Sequence, residues 1–590
     1  MDNYKITQYS VNHILNFVQC DQIAIPEIQR PFVWKGKEVR DLIDSLYEGY
    51  PIGYLIVWQN TQVRLKGFGK GGTKKILIDG QQRVTALMAA LTGKEVLDEH
   101  YRSYRIRIGF NPLAGEEEEH FVVWDGSLAD DPRWIPDISV LFARGYSFRT
   151  FEKEYKSRNE GQDFSNLEEA IDTLRGITKH QVGVIELSFL LDIDVVSEIF
   201  IRINLQGKPL NQEDFAMSKI SVNEQYDGDY IRNCIDYFCH LLKEPSFFAD
   251  LKQNEPDFLA SPYGKALSWC TEGADEIYMP AYTDVLKVVL ISYFGKSKIG
   301  DLVNLLSGKT KKRGIISKKL AKDSFKSLGQ GVRAFVDEKN YKGFCKALRD
   351  AGYGSSRLIY SQSVINYCYA MYLLMGRQGL TEKEKASLIG KWMTFALITG
   401  HYQGAPDSVV VRDYENVMAE GAASYMEQLA DLRLTADFFD GVLPAKYAST
   451  SSRSAAFIAY LASLCARGAN ALYSPDTSFE EVYGGKGESS QILPKAYLAK
   501  CGFKTREIYG QAANLTYLTA ETRQMLRRRE PAAYKEALEK AIGQDAVMAS
   551  LKAHDLDETL FAVTDKEVES FFDKRRKAMA KAVETYYKGL

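Results

Sequence analysis

Histidine is scarce in this chain. Seven occur in 590 residues, at positions 13, 100, 120, 180, 240, 401 and 554, and none falls between 402 and 553. Chemistry that relies on an imidazole is therefore excluded from that whole interval. The eight cysteines (20, 234, 239, 270, 345, 368, 465 and 501) form no CxxC pair and no second cluster. That spacing argues against a zinc knuckle or a disulfide framework and suits a reducing, cytoplasmic setting. No excess of either charge exists: 75 Lys plus Arg against 77 Asp plus Glu leave a formal net charge of −2. A whole-chain polycation is excluded, and any nucleic-acid contact has to come from local basic patches. The most apolar run, Val364 to Met375, is interrupted by Asn366, Tyr367 and Tyr369. It is too short and polar to span a bilayer. Met1 to Phe17 lacks a basic region followed by an apolar run, so no signal peptide and no membrane association are expected.

What is present is an ordinary globular composition, 45% hydrophobic and 26% charged, enough for two to four domains at roughly 100–200 residues each. Within it one stretch stands out. Ile76-Leu77-Ile78 ends in Asp79-Gly80, and Gln81-Gln82-Arg83 open a segment with Val84, Leu87, Met88 and Leu91 at helical spacing. A short strand thus meets a helix start, where free amide groups carry partial positive charge and suit a phosphate or carboxylate. A capped glycine turn is the plain alternative.

Upstream, Ser10 predicts an N-cap for a helix carrying Val11, Ile14 and Leu15. Pro26 and Pro31 bracket Gln29 and Arg30 and predict an extended loop. Val39 to Leu46 predicts a helix stopped by Gly49 and Pro51, and Ile52 to Trp58 a strand. The run Lys66 to Lys75 lacks P-loop spacing and reads as a basic loop. Tyr104 to Phe110, His120 to Trp124 and Val182 to Leu187 predict strands, and Leu167 to Ile177 a helix. Beyond about residue 225 the pattern turns helical, with Tyr414 to Ala430 among the predicted helices and no repeat period. The fold class expected is α+β, with an α/β domain over 1–222, a helical middle over 223–450 and a C-terminal part over 451–590. Past the first domain the chain is expected to be all-helical.

Arg30, Asp79, Gln81, Gln82, Arg83, Arg202 and Asn204 together have the composition of a nucleotide-phosphate site. Arginine forks match phosphate oxygens, an aspartate can hold a divalent cation or take a proton from water, and amides orient water. Spacing alone does not bring them together. Residues 1 to about 222 resemble the N-terminal family of GmrSD-type restriction endonucleases. Three blocks carry the resemblance: Ile25-Pro26-Glu27-Ile28-Gln29-Arg30 with Trp34; Ile78-Asp79-Gly80-Gln81-Gln82-Arg83, the family's DGQQR signature; and Phe200-Ile201-Arg202-Ile203-Asn204 with Gly207 and Asp214. The resemblance implies a ParB/sulfiredoxin-like fold and nucleoside-triphosphate binding and hydrolysis in restriction of foreign or modified DNA. It assigns Arg30 and Arg83 to phosphate, Asp79 to a divalent metal such as Mg²⁺ or to water activation, and Gln81 and Gln82 to orientation. Gln29, Gly80, Arg202 and Asn204 join the nucleotide-binding set.

Residues 491–534 resemble the family's C-terminal HNH-type nuclease domain through Gln491-Ile492-Leu493-Pro494-Lys495 and Ala513-Asn514-Leu515. In that family a histidine at the first position activates water. Here it is Gln491, whose amide takes no proton near neutral pH, and no histidine lies nearby; Arg523 stands at a position that is usually asparagine. The resemblance thus implies a nuclease scaffold without its base, with Asn514 kept for structural reasons. Three readings follow: an NTP-hydrolysing, DNA-associated defence protein in which any nuclease needed is another subunit or a residual site; a metal-dependent DNA nickase or endonuclease; and a non-catalytic nucleotide- or DNA-sensing subunit that docks a partner protein.

Overall fold

Leu55 and Val57 face one way and Ile56 and Trp58 the other, and all four are buried. A strand covered on both faces reads as a continuous apolar run, and this one lies at the centre of a five-stranded sheet. The computed structural model describes residues 3–20, 22–24, 34–60, 74–97, 103–115, 118–191, 195–196, 199, 212–221, 223–273, 275–309, 317–526 and 530–590. The sheet comprises β1 (Tyr4–Ser10), β2 (Ile23–Ala24), β3 (Leu55–Asn60), β4 (Lys74–Asp79) and β5 (Gln181–Leu187), in the order β1-β5-β3-β4-β2. β1 runs antiparallel to β5 and β3 antiparallel to β4, while β5/β3 and β4/β2 are parallel pairs.

Helices α1 (Val11–Gln19), α2 (Gly36–Tyr47) and α3 (Gln81–Thr92) cover one face. Val11, Ile14, Val39, Ile43, Val84 and Leu87 pack there with Leu55, Val57, Leu77, Val182 and Val184. Each such side chain contributes about 1.5–3 kcal/mol by leaving water. Ser10 caps α1 as expected, its Oγ accepting the His13 N–H at 3.2 Å. The opposite face has a smaller cluster of Ile56, Trp58, Leu187 and Val196. Leu167–Gly176 forms the expected helix.

Two strands differ from expectation. The run from Ile52 enters the sheet only at Leu55, because Gly53 is left-handed (φ 85°) and the Ile52 carbonyl is taken by a side chain. Tyr104 to Phe110 breaks into Ser103–Tyr104 and Ile108–Phe110.

The chain divides into two compact units, Met1–Val222 and Asn223–Leu590. The second is built on helices, among them α4 (Tyr282–Phe294), α5 (Gln362–Arg377), α6 (Glu382–Thr399), α7 (Pro406–Glu420) and α8 (Ala455–Ala466). α5 is buried from Val364 to Met375 and packs against α4 and α6. α8 packs against α6 and the last helix, Val568–Gly589. The single helix expected over Tyr414 to Ala430 is two, because Gly421 (φ 86°) ends α7 and Ala422–Arg433 starts afresh. Nor is this unit all-helical. Asn470–Ala471 pairs with Ser474–Ser478, and β6 (Gly487–Gln491) pairs antiparallel with β7 (Leu515–Thr519). Gly-Glu-Ser-Ser-Gln lacks the apolar alternation that marks a strand. The architecture is α+β, and no described helix is long and apolar enough to cross a membrane.

Candidate functional site

β4 ends at Asp79 and Gly80 turns the chain into α3. Gly80 has φ 93°, and a Cβ at this position would lie 2.2 Å from Leu55 Cδ2. Backbone and space both demand glycine there. Its carbonyl accepts the first intrahelical bond, from the Val84 N–H at 3.0 Å. Lacking a side chain, Gly80 gives the first-turn amides no cap acceptor, and that end of a helix favours an anion.

Arg83 lies in the first turn of α3 and reaches back across the junction. Its Nη1 donates to the Ile52 carbonyl at 2.8 Å and its Nη2 to Asp79 Oδ2 at 3.2 Å. The two side chains are 19% and 26% exposed. A guanidinium has five donors, so these two bonds orient Arg83 without exhausting it. Gln81 donates from Nε2 to the Leu77 carbonyl at 3.2 Å, a bond that does not use its Oε1. Gln82 is half-buried in the same first turn. Sequence reasoning missed Ile52 and Gly53, which hold Arg83 from the other side: a Cβ on Gly53 would meet Arg83 Nη1 at 2.6 Å. An isolated glycine at the head of an apolar run was the available signal. The structure thus joins Asp79, Gly80, Gln81, Gln82 and Arg83 with Ile52 and Gly53. Gln29, Arg30, Arg202 and Asn204 lie outside the described residues.

A second charged cluster in this unit was not foreseen. Glu186 on β5 is 4% exposed and takes Lys5 from β1 at 2.8 Å. Lys75 Nζ and Tyr9 Oη both donate to its Oε1, and Lys75 also donates to the Tyr9 oxygen at 2.7 Å. Burial alone would raise this carboxyl, but the Lys5, Lys75 and Tyr9 donors reverse that and hold it down at about 2. The cluster braces β1, β5 and β4.

In the second unit Gln491 ends β6 and Asn514 precedes β7. Gln491 Nε2 donates to the Tyr509 carbonyl at 3.1 Å and its Oε1 accepts the Lys495 N–H at 3.0 Å. Asn514, with no exposed surface, accepts the Leu493 N–H at 2.7 Å and donates to the carbonyls of Leu493 (3.0 Å) and Tyr509 (2.8 Å). Pro494 leads into the short helix Lys495–Lys500. Arg523, on the helix Ala520–Leu526 after β7, pairs with Glu488. Elsewhere buried Asp413 of α7 accepts from Tyr425 at 2.9 Å and bonds His401 Nε2 at 3.0 Å. That network ties down the loop between α6 and α7. Among the described residues no three His, Cys, Asp or Glu side chains gather as a metal site.

Residues 11–221 match the family model of the GmrSD restriction endonuclease, N-terminal domain. The matched stretch contains the Asp79 turn and ends well before Gln491. Over 92% of its length the chain is 21% identical to an uncharacterized protein of Methanocaldococcus jannaschii, and the alignment covers 90% of that relative.

Proposed function

We propose that the first unit binds a nucleoside triphosphate at the Asp79 turn and hydrolyses it, within a cytoplasmic, DNA-associated protein of a restriction or anti-phage defence system. The match of residues 11–221 supports the restriction-system setting. The observation that carries the site is the pairing at the turn: a part-exposed Asp79 carboxylate at an uncapped helix start, beside an Arg83 fixed by Ile52. In this reading the α3 amides and the remaining Arg83 donors hold phosphate oxygens, with Gln29, Arg30, Arg202 and Asn204 supplying further contacts. Gln81 and Gln82 orient the attacking water, whose proton Asp79 accepts.

Mg²⁺ fits this donor set. It takes one or two carboxylates and completes its octahedron with water and phosphate oxygens, and one Asp79 oxygen is not used by Arg83. When bound, the ion supplies Lewis-acid stabilisation of the phosphoryl charge. Cleavage of foreign or modified DNA falls, in this reading, to a partner protein. The endonuclease alternative centred on Asn514 has less support, because the Asn514 and Gln491 amides are engaged by backbone groups.

The test is phosphate release from ATP, GTP, CTP and UTP with Mg²⁺, with and without DNA. Turnover of at least one nucleotide is expected, slowed on the order of 10²–10⁴-fold by Asp79→Ala, as for loss of a general base. An Asp79→Ala protein that hydrolyses as fast as the parent removes the assignment.

A further inference from the structure

The second unit contains a cavity that none of the residues discussed so far explains. It measures about 510 Å³ and its lining includes Glu276, Tyr360, Ser361, Gln362 and Arg453. A smaller hollow of about 210 Å³ shares Tyr360 and Ser361 and continues past Ser363 to Ala455. Together they have the size of a small-molecule site. All of these residues belong to the second unit.

Three features of the lining are chemically specific. Tyr360 is an aromatic side chain left 39% exposed at the mouth, a platform for a flat ring. Gln362 donates from Nε2 to Asp284 Oδ2 at 3.2 Å. A carboxylate only accepts, so the amide nitrogen must face it and Oε1 is presented as an acceptor. Asp284 is itself held by the Ala281 N–H at 2.8 Å and Asn366 Nδ2 at 2.6 Å. Gln362 is therefore oriented by a fixed carboxylate. Among the described residues the Arg453 side chain makes one long bond, 3.5 Å from Nη2 to the Ile359 carbonyl, and its other guanidinium donors face a ligand. Around it Ser361 and Gln362, at the start of α5, line the larger hollow, and Ala455, the first residue of α8, lines the smaller one; Ser361 is the N-cap of α5 and its hydroxyl does not cap the helix.

We propose that this cavity binds a nucleotide, its base stacked on Tyr360 and its phosphate taken by Arg453 and the two helix starts. Gln362 Oε1 and the Glu276 carboxylate are the acceptors facing the base, which selects bases carrying an exocyclic amine. A free nucleotide and one unstacked residue of a DNA strand share this chemistry.

The experiment titrates full-length protein with 2-aminopurine riboside monophosphate and, separately, with a single-stranded oligonucleotide carrying one 2-aminopurine. Quenching is expected in at least one arm, weakened about tenfold by Tyr360→Ala and comparably by Arg453→Ala, and retained by Tyr360→Phe. Binding of the monophosphate identifies a free nucleotide as occupant; binding of the strand alone identifies a strand residue. Tyr360 and Arg453 are exposed, and melting curves verify that the variants fold. Quenching unaffected by both alanine substitutions, absent in both arms, or displaced by an aromatic peptide but not by mononucleotides overturns the proposal. The sensitivity of quenching to Tyr360→Ala and Arg453→Ala reports on the second unit alone, so nucleotide turnover at the first unit stands or falls separately.

Discussion

The Asp79 turn and the Gln491–Asn514 hairpin are built from similar materials: amides and a charged neighbour where a strand meets another element. At the hairpin the amides are engaged. The single Tyr509 carbonyl accepts from both Gln491 and Asn514, and Asn514 makes two more bonds to Leu493 with no surface exposed. At the turn each charged group keeps part of its surface and part of its bonding capacity. A buried amide with every partner in place stabilises a loop. A part-exposed carboxylate beside an oriented guanidinium has room for a ligand. Motif residues are therefore better judged by the hydrogen-bonding capacity they retain than by their identity.

The largest effect that sharpens this contrast is expected from Asn514→Ala. It leaves the buried Leu493 N–H and Leu493 carbonyl without the Asn514 amide, while the Tyr509 carbonyl keeps its bond from Gln491. At about 1–3 kcal/mol for each unmet buried group, the loss is on the order of 4 kcal/mol, read as a lowered urea midpoint. A loss under about 1 kcal/mol would break the contrast, because the hairpin amides would then be dispensable.

The Glu186 network is the first unit's own closed cluster, and pH tests it. The carboxyl lies at about 2 in the folded chain against an ordinary 4.5. A depressed carboxyl stabilises the fold above its ordinary value, and that contribution is lost as pH falls from about 4.5 towards 2. The expected loss is on the order of 3 kcal/mol. Glu186→Gln should remove that acid-induced loss from urea midpoints taken across this range. An unchanged acid limb in the variant would take Glu186 out of the structural class.

Legibility in the sequence followed how local each cause was. The helix cap at Ser10, the strand-to-helix junction at Asp79–Gly80 and the buried run of α5 are set by neighbours within a few residues, and the sequence shows them. Gly53 is needed because Arg83, from another element, lies 2.6 Å from its missing Cβ; no window around Gly53 contains that reason. Glu186 looks like any acid in a strand until β1 and β4 bring Tyr9, Lys5 and Lys75 to it. The polar strand β6 exists because β7 pairs with it, across an interval no local pattern spans. Gly421 was visible but ambiguous, since glycine is tolerated within helices as well as at their ends.

The smallest expected effect falls on the turn itself. Asp79→Asn keeps the shape of the side chain and leaves the Arg83 bond to the Ile52 carbonyl in place. It removes one charge from a part-exposed pair, worth about 0.2–1 kcal/mol for an ion pair in contact with solvent. The urea midpoint should therefore barely move, while any nucleotide turnover should drop steeply, because the amide can neither accept a proton from water nor match a carboxylate as a cation ligand. Stability and activity part company only if Asp79 faces a ligand. Should Asp79→Asn unfold the unit as readily as Asn514→Ala unfolds the other, Asp79 would be a structural member of its turn, and the two regions would differ only in which residues do the bracing.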